Sequence, residues 1–452
     1  MKIIIVGCGK VGQKLTERLS QEKEHDITIV DLNPETIEEL VNLRDVMGVC
    51  GSCGSIDTRM EAGAAEADLL IAVTKSDELN LLTCLMAQKV GNCQTIARVR
   101  KPEYSRALSL FKDDFGLAMI INPEHAAAKE MASVLRFPSA IQIDSFARGR
   151  VEILKFRISE DSVLNNMQVS KLAPKLHCDI LVCGVERGED AFIPRGDFIL
   201  KSGDLVSIIS TIKNAADFFK KIGVKTNRVK DTIIVGGGET AYYLSDMLLQ
   251  AGIDVKIIEQ NAARCEELCD LLPKATIIHG DGTDNRLLLE EGLERTESFV
   301  ALTNIDEENI LLSLFAKSKT NAKLVTKINR IAYDEVIDNL HLDTIVYPKN
   351  ITAEYIVRYV RAMKNSIGSN IETLHYILGN KAEALEFRIR ENSPIAGTPI
   401  EKLRLKSKVL IACINRGGHI IIPRGRDIIK PRDTVIIVTT ESGFKDVSDV
   451  LD

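Results

Sequence analysis

No apolar run in these 452 residues approaches the ~18–20 residues that a membrane-spanning helix needs. Nor does a leader of secretory type precede the first strand, since the chain starts directly on an apolar stretch. Positive charge is not in excess. Lys and Arg number 58 against 64 Asp and Glu, giving a net charge of −6 and a pI near 5.8. Non-specific binding to nucleic acid or an anionic membrane is therefore disfavoured. These absences predict a soluble, intracellular protein whose association with a membrane would come through a partner. Histidine is also scarce, at seven residues.

Cysteine is not scarce, at ten. Cys84, Cys93, Cys178, Cys183 and Cys413 fall inside expected elements, where a free thiol behaves as a small apolar group. Cys50 and Cys53 form a Cys-x-x-Cys, and Cys265 and Cys269 stand one helical turn apart. A zinc site needs a second clear ligand pair, and none accompanies them. A reduced cytosolic protein is the simpler reading.

The richest stretch is residues 2–12. Ile3 to Val6 reads as a buried parallel strand. Gly7, Gly9 and Gly12 follow at G-x-G-x-x-G spacing, and Val11, Leu15 and Leu19 then recur every fourth residue, as on a helix. Asp31 closes the next apolar run, 19 residues after Gly12. Such a unit binds a nucleotide. Gly7 makes the turn, Gly9 lets a pyrophosphate approach, and Gly12 lets helix pack on strand. The helix N-terminus faces phosphate, and the acid accepts from a ribose hydroxyl. Cys8, Lys10 and Val11 complete the candidate loop. Asp31, followed by Leu32-Asn33-Pro34 with no Arg, favours NAD over NADP, although the ribose of ATP or ADP would suit it equally.

Alternating strands and helices continue to Ile121. Six β/α units predict a doubly wound parallel sheet with its ligand at the carboxyl ends of the strands. Thr74 and Lys75 follow the fourth strand and Arg98 ends the fifth, so all three are candidates to line the pocket. A helix is expected over Pro102–Phe111 and another over Pro123–Leu135. Residues 140–222 change style, with short strands (Gln142–Phe146, Val151–Ile158, Ile180–Glu186, Leu205–Ser210) of a small α+β domain.

Then the pattern restarts. Gly7 and Gly236 lie 229 residues apart (236 − 7), and Ile193-Pro194-Arg195-Gly196 recurs as Ile422-Pro423-Arg424-Gly425 at the same offset. Asn80 matches Asn309, and Gly63 matches Gly292. The chain is a tandem duplication of a two-domain unit. The expected domains are 1–139, 140–225, 226–368 and 369–452, two doubly wound α/β domains each followed by a small α+β domain. The second candidate pocket holds Gly236, Gly237, Gly238, Glu239, Thr240, Glu259, Thr303 and Lys327, with Ala241 at the third glycine position. Asp281, in His279-Gly280-Asp281-Gly282, touches the adenosine side of a ligand or caps the next helix.

A dehydrogenase needs a proton donor or acceptor beside the nicotinamide. Moving any of the seven histidines by 229 lands on no other histidine. His177 maps to Lys406 and His279 to Cys50. Binding loops recur across the repeats and catalytic candidates do not, which favours sensing over turnover. The alternative is an NAD-dependent oxidoreductase with duplicated domains.

With these residues placed, the chain resembles a known family. The loop Gly7-x-Gly9-x-x-Gly12, Asp31, the stretch Thr74…Asp77-Glu78-x-Asn80, and a small domain with Ile-Pro-Arg-Gly and Gly-Asp are similar to an RCK unit (regulator of potassium conductance). Two units covering essentially the whole chain resemble the regulatory subunits of Trk potassium-uptake systems. The resemblance implies nucleotide sites for NAD(H) or ATP/ADP at Gly7 to Val11, Asp31, Thr74-Lys75 and Arg98, and at Gly236 to Thr240, Glu259 and Thr303. It also implies a gating ring under a membrane-embedded potassium-translocating subunit of the TrkH/TrkG type, with no nucleic acid and no catalysis. The small domains would bind modulators or mediate assembly. Four chains would supply a ring's eight Rossmann units, so a homotetramer is expected. The Ala- and Met-rich helix Pro123–Leu135 is a further motive for close packing between copies.

Overall fold

A computed structural model describes residues 1–21, 25–91, 93–101, 103–104, 116–136, 140–147, 150–224, 229–329, 337, 340, 342–365, 371–378, 381–441, 443–444 and 446–452. Most of the helix expected over Pro102–Phe111 lies outside the described residues.

Short apolar runs build the first sheet, with residues 3–6 and Leu69–Ala72 buried on both faces. Its strands are β1 (Lys2–Val6), β2 (Asp26–Asp31), β3 (Met47–Cys50), β4 (Leu69–Ala72), β5 (Gln94–Arg98) and β6 (Met119–Ile121), in the order β3-β2-β1-β4-β5-β6. Every pairing is parallel. The chain reverses its direction of winding between β1 and β4, which opens a crevice at their carboxyl ends. The next sheet is antiparallel, formed by β7 (Gln142–Phe146), β8 (Val151–Arg157), β9 (Leu181–Arg187), β10 (Asp190–Phe192) and β11 (Leu205–Ser210) in the order β10-β9-β11-β8-β7.

Both sheets then recur. The parallel one is β12 (Asp231–Val235), β13 (Asp254–Glu259), β14 (Thr276–His279), β15 (Ser298–Ala301), β16 (Lys323–Lys327) and β17 (Thr344–Val346), ordered β14-β13-β12-β15-β16-β17. The antiparallel one is β18 (Ile371–Ile377), β19 (Ala382–Arg388), β20 (Val409–Arg416), β21 (His419–Ile421) and β22 (Thr434–Thr439), ordered β18-β19-β22-β20-β21.

Compact units do not follow the duplication boundary. One unit joins Met1–Ala132 with Lys230–Val357, and the other joins Ser133–Val229 with Arg358–Asp452. Like therefore packs with like: the two parallel sheets share one unit and the two antiparallel sheets the other. The antiparallel pair shares a core of Phe146, Val151, Ile153 and Cys183 with Ile377, Ala384 and Cys413. His375 Nδ1 lies 3.2 Å from Asp144 Oδ1 between them.

The aspartates that recur in the small domains, Asp204 and Asp433, have a structural task. Arg187 Nε and Nη2 donate to the two carboxylate oxygens of buried Asp204, both at 2.8 Å, and Lys201 N donates to Asp204 Oδ2. Arg416 holds Asp433 by the same fork. Two-pronged pairs of this kind fix geometry as well as adding strength. The helix Pro123–Arg136 is present, but its Ala127, Met131, Val134 and Leu135 are at most 1% exposed within the single chain. They are thus already covered, and these four residues offer no surface to another copy.

Candidate functional site

The first loop is shaped by three glycines with different tasks. Gly7 has φ +95°, and a Cβ on it would stand 2.8 Å from Thr74 N. A Cβ on Gly12 would stand 1.9 Å from the Gly7 carbonyl oxygen, so helix Lys10–Ser20 sits directly on the turn. Gly9 is different, because nothing lies within 4 Å of where its Cβ would be. It begins the helix in extended conformation, and no side chain caps the helix there. The first N–H bonded within the helix is that of Gln13, to Gly9 O. Those of Lys10, Val11 and Gly12 are left for an anion, as at other helix N-termini. Val11 is buried and so offers only its backbone, whereas Lys10 is exposed.

Asp31 is tied to this loop. Its Oδ2 accepts from Cys8 N at 2.6 Å and its Oδ1 from Asn33 N at 2.9 Å. A carboxylate oxygen accepts more than one hydrogen bond, so both retain capacity for ribose hydroxyls. Burial, with Asp31 beside it, pushes the Cys8 thiol up to about 12, which makes it an inert wall.

Across the crevice, one buried amide joins the ends of β4 and β5. Asn80 Oδ1 accepts from Thr74 N (2.8 Å) and Thr74 Oγ1 (2.7 Å), while its Nδ2 donates to Arg98 O (2.9 Å). Asp77 Oδ2 accepts from Arg100 N and Lys101 N. Thr74 therefore spends its hydroxyl on the scaffold, and Lys75 points outward, with its carbonyl accepting from Arg100 Nη2. Arg98 lies against Glu124, with Nη2 3.4 Å from Oε1. Burial lowers the guanidinium below its ordinary range, although Glu124 opposes this. Arg98 Nε and Glu124 Oε2 are both buried without a hydrogen-bond partner, so polar capacity is left over at the crevice wall.

The second crevice repeats this plan with substitutions. Gly236 has φ +98°. Space above Gly238 is open, and helix Glu239–Gln250 starts there with no side-chain cap. Glu259 accepts from Gly237 N and Asn261 N, both at 2.7 Å. A Cβ on Gly237 would stand 3.1 Å from Glu259 Cβ and Cγ, which explains why the longer acid is paired with glycine where Asp31 is paired with Cys8. Asn309 links Thr303 to Lys327 O, and Asp306 accepts from Asn329 N. Lys327 is buried and donates to Leu302 O at 3.0 Å, and desolvation lowers it to about 8. Thr240 is buried inside the helix. Asp281 is exposed and turns the loop by accepting from Thr283 N and Oγ1, and the cap of the next helix is Asp284.

Three residues escaped the sequence reading. Arg264 donates from Nε to Gly237 O at 2.8 Å, with Nη2 3.3 Å from Glu239 Oε1. Its counterpart in the first repeat is Thr36 at an offset of 228 (264 − 36), so it does not recur. Tyr243 bridges the two parallel-sheet domains, donating to Arg100 O and accepting from Asn122 Nδ2, both at 3.0 Å. Its counterpart is Lys14, so nothing in the repeat marks it. The third is Arg100, just after β5, whose N donates to Asp77 Oδ2 and whose carbonyl accepts from Tyr243.

Among the described residues no group of three or more His, Cys, Asp and Glu side chains is placed to hold a metal ion, and all ten cysteines are free. The donor set fits a nucleotide: an open approach over Gly9 and Gly238, unbonded helix N–H groups, and an anchored acid in each repeat.

Fold and site together define a class: a chain with two doubly wound nucleotide-binding domains, each followed by an antiparallel module. Residues 3–123 and 232–348 match the TrkA-N domain, and residues 153–223 and 384–452 match the TrkA-C domain. The chain is 33% identical over 457 residues to the Trk system potassium uptake protein TrkA homolog 1 of Methanosarcina mazei, covering 99% of each. It is 32% identical over 445 residues to the Trk system potassium uptake protein TrkA of Haemophilus influenzae, covering 98% of this chain and 96% of that one. The chain belongs to the TrkA family. The crystal structure of the GsuK RCK domain superposes with a TM-score of 0.64 over 97% of this chain and 92% of that one, at 17% identity. The GsuK channel bound to NAD does so at 0.63, over 97% and 77%, also at 17% identity. These bear out the tandem RCK architecture.

Proposed function

We propose that this chain is the regulatory, nucleotide-sensing subunit of a Trk-type potassium-uptake system. It gates a membrane-embedded potassium-translocating subunit from the cytoplasmic face and catalyses no reaction of its own. One observation carries the reading: both repeats keep an open, acid-anchored phosphate loop, yet no histidine recurs between them. Relatives named as Trk potassium uptake proteins over almost their full length support it. Among the described residues no helix is long and apolar enough to cross a membrane, so translocation falls to the partner.

NAD(H) is the expected ligand, with ATP or ADP the alternative. It acts through unequal affinity for two conformations, the only way a ligand shifts an equilibrium. The duplication suits a homotetramer presenting eight Rossmann domains. Light scattering checks this part, and a 50.0 kDa monomer at all micromolar concentrations refutes it. The functional reading is tested by incubating the chain with NADH and candidate substrates. Saturable binding without loss of nicotinamide absorbance is expected, and steady oxidation would establish the oxidoreductase instead.

A further inference from the structure

The two phosphate loops are opposite in charge at the same position. Lys10 and Glu239 are each the first residue of the helix after the loop, 229 apart (239 − 10). Helix Lys10–Ser20 has no acid in its first turn, whereas Glu239 lies in the first turn of its own helix. The second loop also has a cation that the first lacks. Arg264 crosses it, with Nε on Gly237 O (2.8 Å), Nη1 on Glu267 Oε2 (2.7 Å) and Nη2 3.3 Å from Glu239 Oε1. Arg264 Nη2 is nevertheless buried without an aligned hydrogen bond. The pair is close in distance and poor in angle, and its side chains are only 17% and 37% exposed.

We propose, building on the nucleotide-binding reading, that Glu239 is a built-in competitor for phosphate that makes the second repeat select a dinucleotide over a nucleoside triphosphate. A pyrophosphate arriving over Gly238 takes the poorly aligned Nη2 donor of Arg264 from the carboxylate. Glu239 then faces the phosphates across the helix start, where N–H groups and an anion attract. Its repulsion grows with the charge of the ligand. The bridging pyrophosphate of NAD(H) carries one charge on each esterified phosphate, whereas a triphosphate ends in a more highly charged terminal group. The first loop, with Lys10 in place of Glu239 and Thr36 in place of Arg264, has no such competitor and accepts both. Burial pushes the Glu239 carboxyl up; Arg264 and Arg100 oppose that rise, and Glu267 and Glu124 add to it.

Calorimetric titration of the full chain with NADH and with ATP tests this, in a Gly9→Val background that closes the first repeat. Glu239→Gln keeps shape and removes charge, and Glu239→Lys reproduces the first loop. ATP affinity is expected to rise about tenfold or more in Glu239→Gln and further in Glu239→Lys, with NADH changing less than about threefold. The reciprocal variant, Lys10→Glu in a Gly238→Val background, is expected to lose ATP affinity by a similar factor. Thermal melts of each variant establish that it is folded. Equal shifts for the two ligands, or no shift for ATP, overturn the proposal while leaving nucleotide binding intact. Absence of any nucleotide binding in the native chain and all variants overturns both.

Discussion

Gly9→Val separates binding from folding more cleanly than any other change in the first loop. The residue has φ −70° and ψ −170°, which a β-branched residue adopts without strain. Its Cβ would meet nothing within 4 Å, so stability should move by no more than about 0.5 kcal/mol. The added methyl groups occupy the space through which a phosphate oxygen must pass to reach the N–H groups of Lys10, Val11 and Gly12. Charge-assisted bonds of that kind contribute about 1.5–3 kcal/mol each. Losing two of them weakens binding by a factor on the order of a hundred to a thousand or more. Gly12→Ala is the control. Its Cβ would stand 1.9 Å from Gly7 O, so the helix must shift, at a cost of about 1–3 kcal/mol. Asp31→Ala would mix the two effects, since Asp31 also holds Cys8 N and Asn33 N. Calorimetry with NADH and a thermal melt on the same samples read both quantities. Native affinity in Gly9→Val, or a melt depressed as far as that of Gly12→Ala, would refute this account of the loop.

Two further predictions follow from the scaffold. Asn80→Ala removes an amide that is 0% exposed and joins Thr74 to Arg98 O, so a loss of about 2–4 kcal/mol is expected in denaturant unfolding, with weaker nucleotide binding in the first repeat; a change below about 0.5 kcal/mol would contradict the bridging role. Lys327 has a folded pKa of about 8 against an ordinary 10.5. The unfolded chain therefore binds that proton more tightly. The buried ammonium destabilises the fold fully below pH 8, and stability is regained as pH rises from about 8 to about 10. Lys327→Met should be more stable than the native chain at pH 7, by on the order of 2–3 kcal/mol, and the difference should shrink by pH 10. A native-minus-variant difference independent of pH would show that the side chain is not desolvated.

The sheets were legible in the sequence because buried parallel strands are short apolar runs, and the spacing of Gly7, Gly9 and Gly12 records where backbone, ligand and helix crowd together. Asn80 and Asn309 were visible as recurring letters, but their task was not, because it lies in bonds to the ends of two strands that are distant in sequence. The grouping of like domains into one unit was hidden for a different reason. It depends on which faces cover one another, and the order of domains along the chain says nothing about that. Tyr243 shows the limit well. It bonds to Arg100 O and Asn122 only because two domains meet there, and the duplication places Lys14 at its counterpart. Helix Pro123–Arg136 misled in the opposite direction, since small residues and Met suit an interface between copies and a covered core equally.

The central claim is that nucleotide binding to this chain controls potassium movement through a membrane partner. The direct measurement is potassium flux into vesicles bearing a potassium-translocating subunit of the Trk type, with and without the chain, and with NADH or ATP added. Flux should respond to nucleotide only when the chain is present. A chain carrying both Gly9→Val and Gly238→Val should abolish the response, and NADH should not be consumed. Flux indifferent to the chain and its nucleotide, or steady oxidation of NADH by the chain alone, would contradict the account.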